Sequence, residues 1–165
     1  MRNKKFSIII KGIRAAWTIM PLFFCFSGVG RAGIVDDHPD YYQADEIVGF
    51  VHRPYAERTF NWPEYHKGKI SLKTNNLGFR EDADTAVEKK GDVTRVLVIG
   101  DSHIDGIIDN SESFPHVLET LFNARAGVPR FEMINGGTGL YGTDEYVLFL
   151  KKFLFLKPDI YMVVL

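Results

Sequence analysis

A hydroxyl set where a buried strand ends can do acyl chemistry, and this sequence places one there. Val96 to Ile99 are four apolar residues, each β-branched or Leu. Such a run suits a strand covered on both faces, as in a parallel sheet. It stops at Gly100-Asp101-Ser102, where glycine allows a tight turn. Open α/β sheets carry their chemistry at the carboxyl ends of the strands, which makes Ser102 the candidate nucleophile. Asp and Ser also populate ordinary strand-to-loop turns, because their side chains bond nearby backbone, so this stretch alone is ambiguous. A second stretch narrows the reading. INGGTGLYGT, residues 134–143, offers several backbone N–H groups with few side chains in the way. An oxyanion hole needs such donors, aimed at developing negative charge. Those glycines could also serve only the turn before a helix; the two loops together are more specific than either alone.

The flanking elements must bring both loops to one edge of a sheet. Ser113 is placed to cap a helix with Pro115 in its first turn. Phe114, Val117, Leu118, Leu121 and Phe122 recur at helical spacing and form one apolar face. Gly127 and Pro129 end that helix. Phe131 to Asn135 reads as a second strand, followed by the glycine-rich loop Gly136 to Gly142. Thr143 is placed to cap a second helix, with Asp144 and Glu145 in its first turn. That helix is mostly apolar from Tyr146 to Leu156 and ends before Pro158. Ile160 to Leu165 reads as a third strand. Strand, helix, strand, helix, strand predicts a right-handed parallel arrangement.

Residues 34–94 differ in character. Tyr41, Tyr42 and IVGFVHRPYAERTFNWPEY mix aromatic with polar residues. Lys67-Gly68-Lys69 reads as a turn, Ile70 to Thr74 as an alternating, exposed strand, and Asn75 to Arg80 as a further turn. The expectation is a small, irregular β-rich segment laid against the main domain, joined to it by a charged linker from Glu81 to Asp92. Arg53, Arg80, His52 and His66 could reach a ligand. Such side chains are more often solvated or paired with local carboxylates, and that is the favoured reading.

The chain has 165 residues, enough for one domain with a core. Cys25 is its only cysteine, so neither a disulfide framework nor a cysteine metal site is expected. Residues 1–14 carry five basic residues, Ala15 to Val29 carry no charge, and small residues follow at Gly28, Gly30, Ala32 and Gly33. That order reads as a secretory signal cleaved after Gly30 or Ala32, or as an uncleaved membrane anchor. The apolar run is shorter than the ~20 residues that span a bilayer. Either reading sends the remainder out of the cytoplasm, as a secreted, periplasmic or cell-envelope protein. Formal net charge is −1; residues 1–32 hold six basic residues and no acid, so the remainder carries −7. A domain that acidic argues against a nucleic-acid partner.

GDSHIDG, Gly100 to Gly106, resembles the first block, G-D-S-x-x-x-G, of the SGNH (GDSL-type) hydrolases, a family of esterases and acyl transferases. The resemblance implies that Ser102 is the nucleophile, Asp101 a structural acid and Gly106 the closing glycine. His103 stands where the family often has an apolar residue. INGGTGLYGTDE resembles the second block, N-x-x-x-x-G, which Asn135 opens and whose glycine N–H enters the oxyanion hole. Counted from Asn135, that position holds Leu140. The implied oxyanion donors are therefore Ser102 together with Leu140 or Gly139. TNNLGFR ahead of a linker is similar to secreted members that carry a small β-rich segment before the hydrolase core. The fold implied is α/β: a flavodoxin-like parallel sheet in three layers, α/β/α, with about three of five strands present. Residues 1–32 would be signal peptide or anchor, 33–94 the accessory segment and linker, and 95–165 a partial hydrolase domain.

Two blocks of that family have no counterpart in the sequence. One is G-x-N-D; the other is D-x-x-H, which supplies acid and base. His38, His52, His66, His103 and His116 are preceded three positions earlier by Val35, Gly49, Pro63, Gly100 and Ser113. A serine hydroxyl without a base is a poor nucleophile. Losing the histidine of such a unit costs on the order of 10⁶ in turnover. His103 adjoins Ser102 and points elsewhere, which leaves a histidine of the β-rich segment as the remaining source. The expectation is a truncated form of an esterase, acyl hydrolase or O-acyltransferase, inactive as the chain stands. Its substrate would be a small acyl ester or acylated glycan, with no cofactor and no metal. The alternative is a non-catalytic envelope module that binds glycan or protein through the aromatic segment 41–65. A flavin or nucleotide binder ranks last, since the loop Gly136 to Gly142 lacks G-x-G-x-x-G and follows the second strand.

Overall fold

The computed structural model describes residues 30–125 and 130–165. Helix α1 (Gly30–Asp37) leads into two antiparallel hairpins. The first pairs β1 (Tyr42–Asp45) with β2 (Gly49–His52), the second β3 (Glu57–Asn61) with β4 (Lys69–Lys73). Then come β5 (Val93–Ile99), α2 (Ser102–Asp105), α3 (Phe114–Asn123), β6 (Arg130–Asn135), α4 (Thr143–Lys152) and β7 (Ile160–Val163). The last three strands form a parallel sheet in the order β6-β5-β7. The protein is thus mixed α/β, with a three-stranded parallel sheet and two small antiparallel ones.

Strand β5 runs through the middle because its side chains are apolar on both sides. Successive residues of a strand point to opposite faces. Leu97 and Ile99 join Ile134, Phe149, Phe153 and Leu156 in one cluster. Val96 and Val98 join Ile104, Met133 and the half-buried Leu118 in the other. Each such buried aliphatic side chain contributes about 1.5–3 kcal/mol.

The first cluster also contains Tyr41, Tyr42, Phe50, Ile70, Leu72 and Phe79. The β-rich segment therefore completes the core of the sheet rather than resting against a finished domain. Of its aromatic stretch, Tyr41, Tyr42 and Phe50 are buried there and Phe60 and Tyr65 pack partly against it, while Tyr55 and Trp62 stay exposed. The strand expected at 70–74 is β4, but Ile70 and Leu72 are buried on its inner face, and its partner β3 is an addition to the sequence reading. Nor is Glu81 to Asp92 a free linker. Glu81 accepts a hydrogen bond from the Asn135 N–H at 2.9 Å. The buried Arg95 guanidinium donates to the carbonyls of Ala86 at 2.8 Å and Val87 at 3.1 Å.

The helices depart from expectation in detail. The cap of α4 is Gly142, and Thr143 is its first helical residue. Glu145 reaches back to accept from the Gly142 N–H at 2.9 Å, which meets one of the free donors of the helix start. Lys152 ends α4, and Leu154–Leu156 continue as a 3₁₀ turn. Ser113 precedes α3 in the capping position, but its hydroxyl is buried without a partner among the described residues. On the apolar face of α3, Leu118 packs on the sheet and Phe122 on Phe131, with ring centroids 4.9 Å apart. Phe114, Val117 and Leu121 remain exposed, so the periodic face is only partly covered. The leader up to residue 29, and the helix stop at Gly127 and Pro129, lie outside the described residues; residues 30–32 open α1. Among the described residues no helix is long and apolar enough to cross a membrane.

Candidate active site

Ser102 begins a single helical turn at the carboxyl end of β5. Gly100 lets that turn fold back, since a Cβ there would stand 2.6 Å from Cγ1 of Ile104. Asp101 caps the turn: its Oδ1 accepts from the His103 N–H at 2.9 Å and meets the His103 ring Nδ1 at 2.8 Å. His103 is thereby held outward, with its side chain 82% exposed. The hydrogen bonds of the His103 backbone and ring, opposed only weakly by burial, hold the Asp101 carboxyl below the usual carboxylate range. Gly106 closes the turn in the left-handed region, φ 66°, donating its N–H to the Ser102 carbonyl at 2.9 Å.

The loop after β6 lies directly against this turn. Gly136 and Thr138 donate their N–H groups to the carbonyls of Val98 at 2.8 Å and Gly100 at 3.1 Å. Asn135, fully buried, accepts from the Gly137 N–H at 3.0 Å and donates to the Ile104 carbonyl at 3.5 Å. Its carboxamide therefore ties the two loops together. A Cβ at Gly137 would stand 2.5 Å from the backbone nitrogen of Asp105, so only glycine permits this approach. Ser102 is exposed, and no described residue bonds its hydroxyl. It lines a cavity of about 360 Å³ together with Gly139 and Leu140.

The two candidate oxyanion donors on the second loop separate clearly. Gly139 gives its N–H to Asp105 Oδ2 at 3.1 Å. Leu140 adopts φ 68°, a left-handed conformation more usual for glycine. Its N–H has no acceptor among the described residues. The Ser102 N–H, at the first position of a helical turn, also has no acceptor within its helix.

Asp105 is the residue that the sequence reading passed over. It is buried, and Arg80, itself fully buried, donates to its Oδ1 at 2.7 Å. The same guanidinium also bonds the carbonyls of Asp105, Gly106 and Ile108 and the side chain of Asn110. Nε2 of His52 stands 3.6 Å from Asp105 Oδ2, an ion-pair separation longer than a hydrogen bond. The His52 ring lies against Tyr41 and Tyr42, with centroids 4.7 and 5.0 Å away. Burial pushes the Asp105 carboxyl up, but the charge of His52 and the charge and hydrogen bond of Arg80 outweigh it and hold the group below its ordinary value. Arg80 and His52 are thus neither solvated nor paired with neighbours in sequence; their partner lies inside the GDSHIDG block. Arg53 donates to the carbonyls of Pro39 and Tyr42, and His66 pairs with Glu112 at 3.2 Å.

No described histidine bonds Ser102. His52 faces Asp105, His66 faces Glu112, His103 faces Asp101, His38 lies beside Tyr42, and His116 is exposed on α3. The assembled parts are a free hydroxyl, two unengaged amides and a walled cavity. Among the described residues no cluster of three His, Cys, Asp or Glu could hold a metal ion. Compared with protein-family models and with curated proteins, the chain matches none.

Proposed function

We propose that Ser102 is the nucleophile of an ester hydrolase or acyl transferase site of the SGNH (GDSL-type) kind, set on a flavodoxin-like α/β/α sheet. One observation carries this reading: Ser102, exposed and with its hydroxyl unbonded, lines a cavity together with Leu140, whose N–H has no acceptor among the described residues. Ser102 Oγ attacks the carbonyl carbon of the ester. The carbonyl oxygen takes the N–H groups of Ser102 and Leu140 as its charge develops. The alkoxide leaves, and the hydroxyl proton passes to a base from solution, since no described histidine reaches it. Gly139 and Asn135 are positioning residues, fixing the second loop through Asp105 and Gly137. The strand order β6-β5-β7 agrees with the first three strands of the flavodoxin-like order. The basic and apolar character of residues 1–29 supports work outside the cytoplasm, in the cell envelope or beyond.

The test is hydrolysis of p-nitrophenyl acetate by the wild type and by Ser102→Ala, over a series of added imidazole. Imidazole supplies a base. The wild type should exceed Ser102→Ala by an increment that grows with imidazole. Identical rates at every concentration would instead favour the second reading, a non-catalytic binding cavity, supported by the absence of a histidine bonded to Ser102 among the described residues.

A further inference from the structure

We propose that the cavity beside Ser102 takes an ester bearing a carboxylate, recognised by Arg58; this rests on reading Ser102 as the nucleophile. In the β3–β4 hairpin Arg58 pairs with Leu72 and Phe60 with Ile70. Two-residue spacing puts Arg58 and Phe60 on one face of β3, and both line the cavity with Leu72 and Ser102. Arg58 is half-buried and makes no hydrogen bond or ion pair with any described residue. Arg80 and Arg95, by contrast, are buried and surrounded by acceptors. A guanidinium held against apolar walls without a partner loses hydration with nothing in return. Its planar fork matches a carboxylate. The other charge on the cavity wall is already neutralised, because Asp105 is held by Arg80, His52 and the Gly139 N–H. The net unpaired charge facing a ligand is therefore that of Arg58. Tyr42, Phe60, Leu72, Ile107 and Leu140 give the rest of the wall an apolar surface. The occupant that fits is an apolar acyl or aryl body with one carboxylate, its ester carbonyl at Ser102.

The measurement is NMR or calorimetric titration with 4-acetamidobenzoate and with its neutral primary amide, 4-acetamidobenzamide, neither of which carries an ester for Ser102 to cleave. The carboxylate should bind more tightly than the primary amide, and the preference should shrink as salt is raised. Arg58→Gln should weaken carboxylate binding by about tenfold or more, the worth of a charged hydrogen bond, while Arg58→Lys keeps part of it. The primary amide should bind wild type and Arg58→Gln alike, which also shows that the variant is folded. The titration involves no acyl transfer, so its outcome is read separately from whether Ser102 acts as a nucleophile. Equal affinity for the two probes, or an Arg58→Gln variant that binds the carboxylate as well as the wild type, would overturn the proposal.

Discussion

Asp105 is where buried charge is balanced most closely. Its carboxyl is desolvated, yet His52 and Arg80 hold it below the ordinary carboxylate range. A folded-state value lower than the unfolded one gives stability that is present above the unfolded value. That stability is lost as the pH falls through the folded one. The wild type should therefore weaken in acid partly through this residue. Asp105→Asn should remove that part of the acid sensitivity. At neutral pH it leaves the fully buried Arg80 without its counter-charge. Breaking such a pair costs about 3–5 kcal/mol, to be read from urea denaturation at neutral and acid pH. A variant as stable as the wild type at neutral pH would show that the carbonyls around Arg80 are sufficient partners. The residue was hard to find in the sequence because its partner Arg80 lies 25 positions away. The only local sign was an extra acid between Ile104 and Gly106 in a block otherwise accounted for. Arg58 did leave a trace: in ERTFN it alternates with Phe60, as a strand facing a cleft requires.

Two loops in backbone contact make the site at the scale of elements. Gly137 is the point of contact, since its missing Cβ would meet the Asp105 nitrogen at 2.5 Å. Neither partner is the flexible end of a side chain, so Gly137→Ala must push the loops apart. Overpacking of this kind costs about 1–3 kcal/mol. Thermal melting should show that loss, and carboxylate binding in the cavity should weaken with it. An unchanged melting temperature would mean that the loops are looser than described. The strands that carry these loops were legible because short β-branched runs between turn residues have few other uses. The caps were less so. Thr143 has the side chain of a capping residue, yet Gly142 takes that position because Glu145 already serves the free N–H. The apolar face of α3 follows its periodicity, but only Leu118 and Phe122 find partners in the described residues. Periodicity reports that a face exists and leaves open what covers it.

For the molecule as a whole, the point that changes most is the role of residues 34–94. Irregular and aromatic, they resemble an accessory layer in sequence. In the fold they supply one side of the core. Phe79, 1% exposed, packs on Phe149 and Phe153 with ring centroids 6.1 and 4.6 Å away. Phe79→Ala should cost about 3–5 kcal/mol and lower a single cooperative unfolding transition. A separate early transition, with the parallel sheet melting unchanged, would show two independent units. Composition could not reveal this sharing, because an apolar residue in a short strand looks the same whether it covers its own sheet or another. The proposed chemistry depends on the joined arrangement, since the walls of the cavity come from both halves. Its most direct test is peptide mass spectrometry of the protein after brief exposure to p-nitrophenyl acetate with imidazole. An acetyl group is expected on the peptide containing Ser102, absent from the same peptide of Ser102→Ala and diminished in Gly137→Ala. Acetyl groups confined to lysines, with Ser102 unmodified at every imidazole concentration, would contradict a nucleophilic Ser102.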